Sequence, residues 1–96
     1  MREAVLDGGR IHSREALHDA LAGALPVPEW YGRNLDALMD SLTDLGEEFT
    51  LRLTGWEALE EALGPYARAL LRVLRRAEEE NPRFHMVVDT GPYTNF

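Results

Sequence analysis

Strand-like apolar runs alternate with pairs of helix-like segments along this chain, and that order restricts the fold more than any other feature. The apolar runs occupy 4–6, 49–53 and 84–88, and the second alternates with the period of two expected of a half-exposed strand. Two segments with helical spacing of apolar residues separate each run from the next. Because every connection between strands contains helix, right-handed crossovers with parallel pairing are the simplest topology. The sequence therefore predicts an α/β fold, with a small three-stranded parallel sheet packed by about four helices.

Local signals indicate where these elements begin and end. Ser13 can cap the first helix, and Thr54 with Glu57 matches a capping box at the start of the third. The run 84–88 is nearly continuous in apolar residues, which predicts a buried strand. The helices are expected at 14–25, at about 34–45, in a short segment between Thr54 and Gly64, and at 66–80.

Length and composition favour one globular domain. A chain of 96 residues is too short for two cores, and we expect a domain over 1–89 followed by a tail over 90–96. The absence of cysteine excludes disulfides, thiol catalysis and metal sites built on thiolates. Only three apolar residues precede the first acidic turn, and no apolar run approaches a membrane span, so we expect a cytoplasmic location without membrane association.

Negative charge is concentrated in one fifth of the chain. The net charge is −7, and all ten basic residues are arginine, which excludes Schiff-base chemistry and argues against a nucleic-acid binder. Residues 28–48 contain six acidic side chains against Arg33 alone, a net charge of −5. A function that uses this charge is therefore expected to lie in that segment.

Asp36, Asp40 and Asp44 follow one another at intervals of four on the second helix. Like charges at this spacing destabilise a helix by roughly 0.2–0.5 kcal/mol per pair, so stability alone does not select them. A solvated helix face is the plain alternative. A metal site is disfavoured, because carboxylates on one helix face cannot surround an ion that requires six to eight oxygen ligands.

Trp30 and Tyr31 lie in the loop that precedes this acidic helix, between proline and glycine. Large rigid side chains lose little entropy when a partner covers them, so the pair predicts interface anchors. Either aromatic residue could instead cover the edge of the core.

Histidines and outward arginines offer weaker signals. His12, His18 and His85 are not accompanied by a phosphate-binding loop, a nucleophile elbow or a metalloprotease motif, so an active site is disfavoured. The last helix points a row of arginines outward, and nearby glutamates favour a salt-bridged surface over a phosphate site. Those arginines are Arg68, Arg72, Arg75 and Arg76.

Residues 28–40 read PEWYGRNLDALMD, and this long, unusual segment resembles the signature of the barstar family, intracellular inhibitors of secreted microbial ribonucleases. The likeness extends over about 90 residues. It implies that the loop and second helix block a ribonuclease active site, with Asp40 in the place of a substrate phosphate and Asp36 as a second charge contact. The partner-binding residues expected on this basis are Trp30, Gly32, Asn34, Leu35, Asp36, Met39, Asp40, Asp44 and Arg76.

Three residues depart from the family pattern. Met39 stands in the place of a tryptophan, Arg33 in the place of a glutamate, and Arg76 in the place of an interface glutamate on the last helix. The reversed charge at Arg76 indicates that the target differs from the family's usual one on that side.

The function predicted from the sequence is stoichiometric inhibition, without a cofactor, of a small basic ribonuclease of the guanyl-specific, barnase-like class, by a protein that is monomeric when free. Two alternatives stay open from the residues. One is an acidic module that binds a basic partner other than a nuclease, and the other is a small acid–base hydrolase.

Overall fold

The computed structural model describes residues 2–27 and 31–89, and over this range the elements follow the expected order. The first helix begins after Ser13, whose hydroxyl accepts from the Ala16 N–H at 3.0 Å, as the sequence predicts. In chain order the elements are β1 (Arg2–Asp7), a 3-10 turn (Gly8–Arg10), α1 (Arg14–Ala24), α2 (Leu35–Thr43), β2 (Phe49–Thr54), α3 (Trp56–Leu63), α4 (Pro65–Glu80) and β3 (Phe84–Asp89).

The three strands form one parallel sheet in the order β1-β2-β3. Phe49, at the start of β2, pairs in register with Arg2 of β1 and Phe84 of β3. The predicted α/β class, with a three-stranded parallel sheet and four helices, is confirmed.

The core lies between the sheet and the helices. In β2 the residues Phe49, Leu51 and Leu53 are buried while the alternate ones are half-buried, so the predicted period of two is confirmed. On α4 the inward residues Ala67, Leu70, Leu74 and Ala77 are buried, and the four outward arginines are exposed. Among the described residues, no helix, α4 included, is long and apolar enough to cross a membrane.

The expectation that the third strand is buried is only partly correct. Phe84 and Met86 are buried, but Val87 is 39% exposed. Val87 pairs with Arg52, which pairs in turn with Val5, itself 57% exposed. The alternate residues of these strands therefore lie on an open face of the sheet, and β3 is an edge strand whose apolar run extends to that face.

The predicted capping box at α3 is wrong. Gly55 is the N-cap residue, in the left-handed region at φ 64°, and no side chain caps this helix. A Cβ at Gly55 would lie 2.8 Å from the Gly9 nitrogen, so the chain needs glycine where it crosses the first turn. Thr54 precedes the cap and places its hydroxyl 3.5 Å from the Leu6 carbonyl oxygen.

Candidate functional site

The turn that leads into α2 is built from Gly32, Arg33 and Asn34. The Asn34 side-chain oxygen accepts from the Ala37 N–H at 2.7 Å, which caps α2, and its nitrogen donates to the Gly32 carbonyl oxygen at 3.1 Å. Arg33 has a left-handed backbone at φ 56°. A Cβ at Gly32 would lie 3.1 Å from the Asn34 side-chain nitrogen, so a larger residue would have to displace the Asn34 side chain by a few tenths of an ångström. Gly32 and Asn34, both predicted contact residues, thus set the direction in which α2 leaves the loop.

The acidic side of α2 is open to solvent. Asp36, Asp40 and Asp44 are exposed, and none of them forms an ion pair with the described residues. Asp36 lies in the first turn, where the helix dipole stabilises a carboxylate, whereas Asp44 is the C-cap residue, where the dipole opposes it. The predicted contact residues Leu35 and Met39 are half-buried and pack against the core.

Two surface grooves run beside α2. One, of about 810 Å³, lies towards α1 and includes Asn34, Leu35 and Asp36 in its lining. The other, of about 730 Å³, includes Gly32, Asp40 and Asp44. Six of the predicted contact residues are therefore divided between the two flanks of one short helix, whereas Met39 and Arg76 line neither groove.

The single cation of the acidic segment is already engaged. The Arg33 guanidinium donates to the Asp19 carboxylate of α1 in a close ion pair. Arg33 therefore joins the loop to α1, and the three aspartates of α2 keep their negative charge unpaired by it.

Arg76 lies on the exposed face of α4, apart from the acidic row. Its Nε donates to the Glu80 carboxylate at 3.0 Å, one turn along the same helix. Arg68 pairs with Glu60 of α3 at 3.2 Å, so the expected salt-bridged surface holds for two of the four outward arginines, and Arg72 and Arg75 form no ion pair with the described residues. A binding partner that contacts Arg76 would therefore meet a guanidinium whose positive charge is partly neutralised by Glu80.

Of the two roles that the sequence leaves open for Tyr31, an interface anchor or a cover for the edge of the core, the structure supports the second. The Tyr31 side chain is 7% exposed and belongs to the core, because its hydroxyl finds a buried partner in His18. Burial raises the pKa of Tyr31 to about 12; the neighbouring Tyr66 adds to the shift and Arg33 opposes it. Trp30, the other predicted anchor, lies outside the described residues.

His18 is the most buried polar side chain near the site, with 2% of its surface exposed. Its Nδ1 lies 2.6 Å from the Tyr31 hydroxyl and its Nε2 lies 2.8 Å from the Tyr66 hydroxyl. Burial lowers the pKa of His18, Arg33 lowers it further, and Asp19 opposes both. Sequence reasoning missed Tyr66, because a partner 48 residues away leaves no local signal.

The other histidines have unrelated surroundings. His12 is exposed, and His85 shares a hydrogen bond with Glu48 at 2.8 Å on the exposed side of the sheet. Across 2–27 and 31–89, no three side chains of the metal-ligating acidic, histidine or cysteine types come together to hold an ion.

Comparisons with a family model and with known proteins agree. The family model described as "Barstar (barnase inhibitor)" matches residues 1–89. A protein of Bacillus subtilis (strain 168) named "Putative ribonuclease inhibitor YrdF" is 40% identical over 91 residues, which cover 93% of this chain and 100% of that protein.

Proposed function

The chain belongs to the barstar family, and from that premise we propose that it binds a small basic ribonuclease one-to-one and blocks the active site with α2 and the preceding loop. One observation carries the proposal: Asp36, Asp40 and Asp44 are exposed and form no ion pair within the described residues. This row destabilises the free helix. A cationic partner would relieve the repulsion between the three carboxylates, and this relief would favour binding.

Family membership makes this chain an inhibitor and not an enzyme. The acid–base hydrolase considered from the sequence is therefore set aside. His18, the histidine closest to the candidate interface, is bonded to two tyrosines and buried away from solvent.

Asp40 is proposed as the phosphate mimic. A ribonuclease site presents arginine, lysine and histidine donors arranged around a phosphate, and a carboxylate can accept from the same donors. Asp40 is exposed and lines the same groove as Gly32, so an enzyme can reach its carboxylate from outside. Asp36, on the other flank of α2, would supply a second charge contact.

The remaining contacts are proposed to surround these two charges. Leu35 and Met39 offer apolar surface beside the carboxylates, and the turn at Asn34 presents its exposed edge. Arg76 would contact a separate part of the enzyme, reached from α4. The full proposed set is Trp30, Gly32, Asn34, Leu35, Asp36, Met39, Asp40, Asp44 and Arg76.

The charge distribution favours a basic partner. A net charge of −7, concentrated around α2, attracts a cationic protein and raises the association rate above the neutral value of about 10⁵–10⁶ M⁻¹s⁻¹. We propose a guanyl-specific, barnase-like target and a monomeric inhibitor that acts in the cytoplasm. Residues 1–89 would form the inhibitory domain, with 90–96 as a tail outside it.

Titration of a panel of small guanyl-specific ribonucleases against an RNA substrate tests this function. For at least one enzyme, activity is expected to fall linearly to zero at equimolar inhibitor, and guanosine monophosphate is expected to compete with the inhibitor because both occupy the active site. If micromolar protein inhibits no member of the panel, the proposal is wrong for this class, and a basic partner other than a nuclease becomes the better hypothesis.

A further inference from the structure

A buried cluster of His18, Tyr31 and Tyr66 joins three parts of the chain directly behind the predicted contact residues. His18 belongs to α1, Tyr31 immediately precedes the turn at Gly32, and Tyr66 lies in the first turn of α4. The imidazole contacts one hydroxyl with each nitrogen, at 2.6 Å and 2.8 Å. Tyr31, the residue immediately before the turn at Gly32, is thus linked inside the protein to α1 directly and to α4 through His18.

Neutral His18 satisfies both contacts. A neutral imidazole has one N–H donor and one acceptor nitrogen, so one tyrosine hydroxyl donates to the ring and the other accepts from it, whichever tautomer is present. Such a chain of hydrogen bonds in a poorly solvated site is cooperative. Among the described residues, no buried side-chain nitrogen or oxygen lacks a partner, so the cluster is complete in this form.

Protonation of His18 disturbs this arrangement. Both nitrogens then donate, so the tyrosine that had donated must turn its hydrogen away from the ring. The new charge is buried, and the positive charge of Arg33 opposes it. A second guanidinium, that of Arg14, lies 4.3 Å from the centre of the Tyr66 ring, whose hydroxyl contacts His18. Asp19 compensates in part. The titratable and charged side chains that line the groove at His18 are Arg14, Glu15, Asp19, Arg33, Asp36 and Tyr66.

We propose that His18 is a positioning residue for inhibition: its two bonds hold Tyr31, and with it the turn at 32–34, against α1 and α4, and its protonation loosens that turn. The effect on inhibition rests on the proposed function. The positioning itself is a property of the free protein and is measured without a nuclease.

Amide hydrogen exchange of the free protein at about pH 7.5 tests the positioning. His18→Leu removes both bonds, Tyr66→Phe removes one and keeps the ring against Arg14, and His12→Gln is the exposed control. We expect amides of 31–38 to exchange at least about tenfold faster in His18→Leu, and to a smaller extent in Tyr66→Phe, while those of β2 stay within about threefold of wild type. Wild-type behaviour is expected of His12→Gln.

Two exchange patterns would overturn the proposal. Equal acceleration in 31–38 and in β2 would mean that His18 supports only global stability, and unchanged exchange in 31–38 would mean that the cluster does not hold the turn. Should His18→Leu fail to fold, Tyr66→Phe decides by the same comparison.

The dependence of binding on pH supplies a readout that a purely structural role would not move. His18→Gln keeps one donor and one acceptor but does not titrate. Binding to a ribonuclease that the wild type inhibits is measured at about pH 8 and at about pH 5.5, and titration of the enzyme itself cancels in the comparison. We expect acidification to weaken wild-type binding more than it weakens binding of His18→Gln, by a difference that approaches about twofold where the pH equals the lowered pKa of His18 in the free protein. Equal weakening would refute the pH effect, whereas failure of the wild type to inhibit any ribonuclease would refute the proposed function and leave the exchange result standing.

Discussion

The side-chain nitrogen of Asn81 donates to the carbonyl oxygen of Leu42 at 2.9 Å, and this bond joins the end of α4 to the end of α2. The same nitrogen donates to the Leu45 carbonyl oxygen at 3.2 Å, and the side-chain oxygen accepts from the Arg83 N–H at 3.0 Å. Carbonyl groups at the end of a helix lack a partner in its regular hydrogen-bond pattern, and Asn81 supplies a short bond there beside the longer one from the Leu45 N–H at 3.4 Å. The acidic helix is therefore fixed at its far end by a residue more than 30 positions away.

Asn81→Ala is expected to lower the free energy of unfolding by about 2–4 kcal/mol, because it removes three hydrogen bonds of a buried side chain and leaves the Leu42 carbonyl oxygen with weaker backbone donors such as the Leu45 N–H at 3.4 Å. Chemical denaturation measures this loss. The control is Asn34→Ala, which removes an exposed helix cap and should cost about 1 kcal/mol. A smaller loss at Asn81 than at Asn34 would contradict the anchoring role.

Gly55→Ala is expected to destabilise the protein by at least about 1–3 kcal/mol, because it combines a left-handed backbone at φ 64° with a Cβ placed 2.8 Å from the Gly9 nitrogen. Gly46→Ala is the matched control. A Cβ there meets nothing within 4 Å, so the change should stay within about 0.5 kcal/mol. Thermal or urea unfolding of Gly55→Ala and Gly46→Ala gives the comparison. Equal stabilities of the two variants would show that the backbone at Gly55 is not packed tightly against Gly9.

The stability of the protein is expected to fall in acid partly through His18. Because burial lowers the pKa of folded His18 below the ordinary 6.5, the unfolded chain binds this proton more readily than the folded one. The stabilising contribution of His18 is therefore complete above pH 6.5 and is lost as the pH falls from there towards the folded pKa.

Urea unfolding of wild type and His18→Gln across this range measures the contribution, with His12→Gln as control. The wild type and His12→Gln should lose stability more steeply than His18→Gln. Parallel curves for all three proteins would mean that His18 does not titrate differently on folding.

Arg76→Glu is expected to change which ribonuclease binds best. If the natural target offers a neutral or acidic surface to Arg76, the substitution should weaken that complex. It should strengthen binding to a barnase-like enzyme with a basic surface there, and exchanging repulsion for attraction could amount to a few kcal/mol. Glu80 is the local partner of Arg76 and would then repel the new carboxylate, so Arg76→Gln serves as the neutral control.

The test measures the affinity of each of the two enzymes for the wild type, for Arg76→Gln and for Arg76→Glu. A change of less than about threefold in every case would place α4 outside the interface.

The sequence predicted the elements that local periodicity determines and missed contacts between distant residues. The order of strands and helices, the cap at Ser13 and the two faces of α4 all follow from spacing within a few residues. The burial of Tyr31 does not, because its partner His18 is 13 positions away and no local pattern links a loop tyrosine to a helix histidine. The cap at Gly55 depends on contact with Gly9, which only the folded chain brings close.

For the candidate site, the resemblance to the barstar family identified α2 and its loop, and the structure added how they are held. The exposure of the three aspartates follows from the helical period, since Leu38 and Leu42 occupy the opposite, buried face. The pairing of Arg33 with Asp19 and the anchoring of α2 by Asn81 could not be predicted, because each joins elements whose packing the sequence does not specify.

The most direct test of the account is the affinity of the target ribonuclease for Asp40→Ala and for Asp44→Ala, measured by calorimetry against wild type. Asp40→Ala should lower the binding free energy by at least about 3 kcal/mol, because it leaves several cationic donors of the enzyme buried without a partner. Losses of this size are typical of the most important residues in alanine scans of protein interfaces, for which the barnase–barstar complex is a standard example. Asp44→Ala, at the far end of α2, should cost less than about 1 kcal/mol. Equal losses at the two positions would contradict the account, since they would mean that the acidic row acts as a diffuse field and not through one carboxylate in the place of a phosphate.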